Sequence, residues 1–182
     1  MGMFPELRGT LWLTGLSGAG KSTIAELLHQ LLEEKGISSY LLDGDNLRKG
    51  LNSDLGFGER ERTENVRRLG EVALLFADAG YLSIVSAISP FVADRKMVRE
   101  RHKSFGVLFV EIYVATPLSV CEARDSKGLY ARARAGELAL FTGVTQPYEA
   151  PESPEVTANE FRTPKENALE VLAYLANRGF VV

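Results

Sequence analysis

Eight consecutive residues, Gly15-Leu16-Ser17-Gly18-Ala19-Gly20-Lys21-Ser22, match G-x-x-x-x-G-K-[ST] at every fixed position. Phosphate binding is the chemistry that needs this order. Glycines let backbone N–H groups close around phosphate oxygens, and a helix starting at Lys21 adds its positive N-terminal end. Lys21 can reach the β- and γ-phosphates of a nucleoside triphosphate, the Ser22 hydroxyl suits Mg²⁺, and Thr23 completes the candidate set. A glycine turn that merely joined a strand to a helix would not require lysine and serine at both places.

A second constellation is acidic. Asp43-Gly44-Asp45-Asn46-Leu47-Arg48 follows a short apolar run. In an open α/β sheet, ligands sit beyond the carboxyl ends of strands, so these carboxylates should face the phosphate site. Phosphoryl transfer to a hydroxyl needs a carboxylate near that hydroxyl or on the metal. Asp43, at the strand tip, is the first candidate and Asp45 the second; the alternative is a turn whose aspartates only bond local backbone. Arg48, Arg60, Arg62, Arg67 and Arg68 come next, with Asn65 among them. Arginine suits bidentate recognition of phosphate or sulfate oxygens, and Arg62 and Asn65 are spaced to share one helix face. Arg48, Arg62 and Asn65 together point to an anionic second substrate, whereas Arg67 and Arg68 suit a solvated surface. Phe57, between two glycines, and Phe141, in a polar stretch, are placed to stack on a base.

Several nucleotide-using classes share the phosphate motif. No N-K-x-D base-recognition motif accompanies it, and Asp125-Ser126-Lys127-Gly128 matches D-x-x-G only after a helix, so a GTPase is excluded. No strand closes in the acidic pair of a motor ATPase. A small-molecule kinase is left.

These groups must be held by alternating elements. Strands are predicted over residues 10–14, 39–42, 81–87 and 109–115, and helices over 21–35, 62–79 and 94–102. A further helix opens at Thr116-Pro117, with proline in its first position, and Thr163-Pro164-Lys165-Glu166 caps the last one. The alternation implies a three-layer α/β/α domain with a mostly parallel sheet, one unit over 1–182. Residues 125–155 break the rhythm with glycine, proline and charge, and are expected to form a lid.

With 182 residues, 45% apolar and 25% charged, the chain is long enough for one well-buried domain. A net charge of −3 gives no global field toward nucleic acid or membrane. The single cysteine, Cys121, permits no intramolecular disulfide and lies in an apolar helical pattern. No apolar run reaches membrane-span length, and a reducing cytoplasm is the expected location.

Assembled, these pieces resemble the adenylylsulfate kinase family. The likeness runs through GLSGAGKST at 15–23, LDGDNLRKGLNSDLGF at 42–57 and RTENVRRLGEVALLFADAG at 62–80. It continues through ISPF at 88–91, KGLYARARAGE at 127–137, FTGV at 141–144 and PYEAPESPE at 147–155. It implies ATP and adenosine 5′-phosphosulfate as substrates, Mg²⁺ as cofactor, and a homodimer as a common state. Phe57 and Phe141 would sandwich the adenine of adenylylsulfate. Arg48, Arg62 and Asn65 would hold its phosphosulfate and ribose, helped by Asp45 and Asn46. Ile88 and Ser89 would line the pocket, Lys127 would close over it, and Asp43 would sit with Mg²⁺ and the ribose hydroxyl. Ser89 matches a phosphoserine position of bacterial members, although in-line transfer needs no protein carrier. Arg124, at the lid's start, would pack on the adenine of ATP. Ser126, Ser86-Ala87 and Thr145-Gln146 depart from the family pattern, and none removes a proposed ligand. The chain has no segment for a fused sulfurylase, so the kinase alone is expected.

Overall fold

The structure, a computed structural model, describes residues 8–180. Five strands, β1 (Gly9–Thr14), β2 (Ser39–Asp43), β3 (Leu82–Ser86), β4 (Leu108–Val114) and β5 (Val156–Ala158), form one parallel sheet in the order β2-β3-β1-β4-β5. Every strand therefore ends on the same edge, where an open sheet places its ligands.

β1 explains the layering. It is buried along its whole length at the centre of the sheet, and its side chains alternate between two cores. Leu11 and Leu13 pack with α1 (Lys21–Glu34) and α7 (Pro164–Asn177) through Ile24, Leu28, Leu32, Ala168, Val171 and Leu175. Trp12 faces the other way, into Val66, Leu69 and Ala73 of α3 (Glu59–Asp78) and Val98 of α4 (Val92–Ser104). Two helical layers thus cover the sheet, as the alternation predicts. A short α2 (Gly44–Leu47) follows β2, and α5 (Leu118–Arg124) and α6 (Leu129–Arg134) lie between β4 and the last strand.

Four local features differ from the sequence reading. Pro117 caps α5 from outside, with ψ at 150°, and its carbonyl accepts from Val120 and Cys121; the helix proper begins one residue later. α3 starts at Glu59 because Glu61 reaches back to the Gly58 and Gly56 amides at 3.0 and 2.8 Å. Its first turn is wholly polar, so no apolar period announces it. The acidic turn contains the four-residue α2, for which Asp43 is the N-cap. β5 lies just past the expected lid; three residues are too few to show a period of two.

Candidate active site

The phosphate motif forms a loop between β1 and α1, and close packing dictates its glycines. A Cβ on Gly15 would sit 2.6 Å from the Val114 carbonyl oxygen, at a φ of 153° that L side chains avoid. Gly20, with φ at 105°, sets the turn into α1. Lys21 is buried, and its Nζ folds back onto the Leu16 carbonyl at 2.7 Å. Burial lowers its pKa to about 8, against the raising effects of Asp45 and Cys121. A poorly solvated ammonium held by one neutral carbonyl is prepared for a phosphate anion.

Beside it, Ser22 Oγ lies 3.1 Å from both Asp43 Oδ2 and Ser86 Oγ. Asp43 Oδ1 accepts from the Asn46 amide at 3.0 Å. One carboxylate oxygen of Asp43 is therefore spent on the local backbone and the other faces the Ser22 hydroxyl. The acidic turn therefore does bond its local backbone, and it also turns one carboxylate oxygen toward the phosphate motif.

A cleft of about 800 Å³ runs from this cradle to the far side of the sheet edge. Ser17, Gly18, Gly20, Lys21, Ser22, Thr23, Asp43, Asp45, Arg48, Phe57, Arg62, Asn65, Ile88, Ser89, Arg124, Lys127 and Phe141 all line it. Asn46 does not; its Oδ1 accepts from Lys49 at 3.2 Å on the surface. Gly15 and Ala19 shape the loop from behind, while Leu16 lines a second, smaller cavity with Leu118 and Val144. Sequence reasoning passed over Ser86, Tyr130, Leu140 and Thr142, which also line the cleft. Tyr130 and Thr142 lay within quoted motifs, at KGLY and FTG, yet nothing local marks their role.

The arginines carry unusual surroundings. Arg62 is buried and donates to the carbonyls of Phe57 at 2.7 Å and Leu140 at 3.0 Å, and to Thr142 Oγ1. Arg48 donates to the carbonyls of Leu55 at 3.2 Å and Gly56 at 2.9 Å, and its guanidinium lies 4.5 Å from the centre of the Phe57 ring. Neither forms an ion pair among the described residues. Burial lowers the pKa of both, and for Arg62 the nearby Arg48 charge adds to it. Two partly desolvated cations thus make one wall of the cleft electropositive. Arg67 and Arg68, by contrast, are paired with Glu64, and Arg68 also with Asp54.

The segment after α5 closes over the cleft. Tyr130 donates to the Ser17 carbonyl at 2.9 Å and meets the Phe141 ring edge-on at 5.0 Å. Lys127 bridges to Asp45. Asp125, at a φ of 22°, caps α6 by accepting from the amides of Tyr130 and Ala131, each at 3.0 Å. That cap fixes the turn in which Ser126 stands. Arg124, exposed, lies over the phosphate loop with its guanidinium 3.4 Å from the Gly18 carbonyl. Phe57 is largely exposed, whereas Phe141 is buried. Ser89 is buried with φ at 40°, and its hydroxyl accepts from the Trp12 indole at 3.0 Å. Cys121 is buried behind the loop, and burial raises its thiol pKa.

A parallel sheet with a strand–glycine loop–helix phosphate cradle, opening on a cationic cleft under a closing segment, defines a P-loop kinase. Comparison with known proteins narrows this. Residues 8–159 match the family model described as adenylylsulphate kinase, and the chain belongs to that family. The adenylyl-sulfate kinase of Clostridium acetobutylicum is 52% identical, over 95% of this chain and 86% of that one. That of Saccharomyces cerevisiae is also 52% identical, over 94% and 86%. Among solved structures, the Mycobacterium tuberculosis APS kinase CysC in complex with AMPPNP and APS superposes with a TM-score of 0.92 at 51% identity. The match covers 94% of this chain and 99% of that one.

Proposed function

We propose that this chain transfers the γ-phosphoryl group of ATP to the ribose 3′-hydroxyl of adenosine 5′-phosphosulfate, giving 3′-phosphoadenylylsulfate and ADP. The observation that carries this reading is one cleft holding both the phosphate cradle and two arginines with no carboxylate partner among the described residues. An acceptor that is itself an anion fits that wall; a neutral sugar does not.

On this reading the backbone of residues 16–22 and Lys21 hold the β- and γ-phosphates, and Lys21 offsets charge on the transferring group. Arg48, Arg62 and Asn65 hold the phosphosulfate, with Asp45 alongside. Phe57 and Phe141 face the adenine of the acceptor, Ile88 and Ser89 line its pocket, and Arg124 lies over the adenine of ATP. Asp43 orients the 3′-hydroxyl beside the phosphate cradle. Trp12 already holds the Ser89 hydroxyl, so Ser89 serves as wall rather than phosphoryl carrier.

Ser22 and Asp43 would hold Mg²⁺. Among the described residues no cluster of three or more His, Cys, Asp or Glu side chains is built to bind a metal. Such a sparse set of hard oxygens suits an ion carried mainly by phosphates and water. When bound, Mg²⁺ supplies charge neutralisation at the β- and γ-phosphates.

The lid of about residues 125–155 excludes water from the single domain and so limits ATP hydrolysis. A cytoplasmic location fits the free thiol of Cys121, and a homodimer is the expected assembly. Incubation with MgATP and adenylylsulfate, followed by ³¹P NMR, tests the reaction. The expected result is ADP together with a new phosphomonoester on the ribose 3′ position; ADP and free phosphate without that ester would refute it.

A further inference from the structure

Asn52 lies in the loop between α2 and α3, at 1% exposure. Its Nδ2 donates to Asn65 Oδ1 at 3.0 Å. Its own Oδ1 is the one buried side-chain polar atom among the described residues that lacks a hydrogen-bond partner. An unpaired buried amide oxygen is costly, and a leucine of similar size would fill the space without that cost. Packing alone does not account for an asparagine here.

Asn65 supplies the reason. It lines the cleft on α3, one turn from Arg62. Asn52 occupies its Oδ1, while its Nδ2 makes no hydrogen bond within the described residues and is not sealed from the cleft. We propose that Asn52 is a positioning residue: it holds the Asn65 amide with its NH₂ toward the cleft, as a donor to the phosphosulfate of the acceptor. The proposal rests on the acceptor reading above. Turning both amides over would only exchange which Asn52 atom is orphaned, and would aim the Asn65 carbonyl oxygen at an anion.

The loop is braced to impose this orientation. The Asn52 amide donates to the Leu47 carbonyl at 2.9 Å. Arg68 ties the neighbouring residues to α3, donating to the Leu51 carbonyl at 3.2 Å and to Asp54 at 2.7 and 2.9 Å. Asn52 thus sits on a fixed platform facing a side chain that is otherwise free to rotate its amide.

Steady-state kinetics on the whole chain test the idea. In Asn52→Leu the KM for adenylylsulfate should rise about tenfold, the loss of one well-aimed donor to a charged group. The KM for ATP, kcat and the melting temperature should not worsen. Asn52→Asp should raise the acceptor KM further, because its carboxylate accepts from Asn65 Nδ2 and turns the Asn65 oxygen toward the anion. Asn65→Asp, which keeps the bond from Asn52 but presents oxygen to the cleft, should resemble it without disturbing the loop. In an Asn65→Ala background, Asn52→Leu should have no further effect on KM. Normal turnover with an unmoved acceptor KM in Asn52→Leu and Asn52→Asp, or an equal rise in the Asn65→Ala background, overturns the proposal. Absence of any turnover of adenylylsulfate by the unaltered protein overturns the acceptor reading, and this inference with it.

Discussion

Two groups of arginines, one lining the cleft and one packed behind it, are held in opposite ways. Arg48 and Arg62 are gripped by backbone carbonyls and a threonine hydroxyl, so their positive charge remains available. Arg95 and Arg99, one layer behind, meet carboxylates. Arg95, at 2% exposure, donates to Glu111 at 2.7 Å, and Arg99 to Glu155 at 2.5 Å and Glu111 at 3.1 Å. Arg95 also donates to the carbonyls of Ser89 at 2.6 Å and Glu149 at 2.7 Å, joining β4, the pocket floor and the returning lid segment. Cancelled charge ties elements together; uncancelled charge lines the cleft. Lys21, held by the Leu16 carbonyl, belongs with Arg48 and Arg62.

Substitutions should divide along that line. The largest effect expected is on stability: Arg95→Met strips the main partner from buried Glu111 and should cost about 3 kcal/mol or more in urea unfolding, with much of it restored in Arg95→Met/Glu111→Leu. An equal loss in the double variant would mean that the pair is not what Arg95 supplies. Next, Lys21→Met should lower kcat by about 10³-fold, while its melting temperature does not fall, since it removes a desolvated cation. A large drop in melting temperature would place Lys21 with the structural group instead. Arg62→Leu should raise the KM for adenylylsulfate by about 10- to 100-fold, the value of charge-assisted hydrogen bonds to one anion, and leave the KM for ATP nearly unchanged.

The smallest effect concerns pH. Lys21 has its pKa lowered to about 8 by burial. Phosphates favour its charged form, so ATP affinity of the free protein should fall as pH rises through 8, and binding near pH 8.5 should take up protons. Stability moves the other way. Between the folded value of about 8 and the ordinary 10.5, the unfolded lysine binds more protons than the folded one, so stability should rise with pH across that window. Calorimetry of ATP binding in buffers of differing ionisation enthalpy measures the uptake; proton release would contradict it.

The same division explains what the sequence revealed. Residues 15–22 are legible because backbone geometry, glycine and charge are specified in one continuous stretch. Arg62 and Asn65 are legible through helical spacing, and the sheet through alternating apolar runs. Tyr130, Thr142 and Asn52 are not, because each acts across the fold, on Ser17, Arg62 and Asn65 respectively. Arg95 was passed over for the same reason, yet a signal existed: Glu111 interrupts the apolar strand LFVEIYV, and a buried carboxylate demands a cation. The start of α3 and the strand β5 escaped because one is polar and the other three residues long.

The most direct test of the central claim, that uncancelled charge selects an anionic sulfonucleotide acceptor, is ADP release from MgATP with adenylylsulfate, AMP, gluconate and no acceptor in parallel. Turnover with adenylylsulfate should lie far above that with the other three, be lost in Asp43→Ala and be shifted to high KM in Arg62→Leu. Comparable turnover with gluconate, or a rate independent of any acceptor, would contradict it.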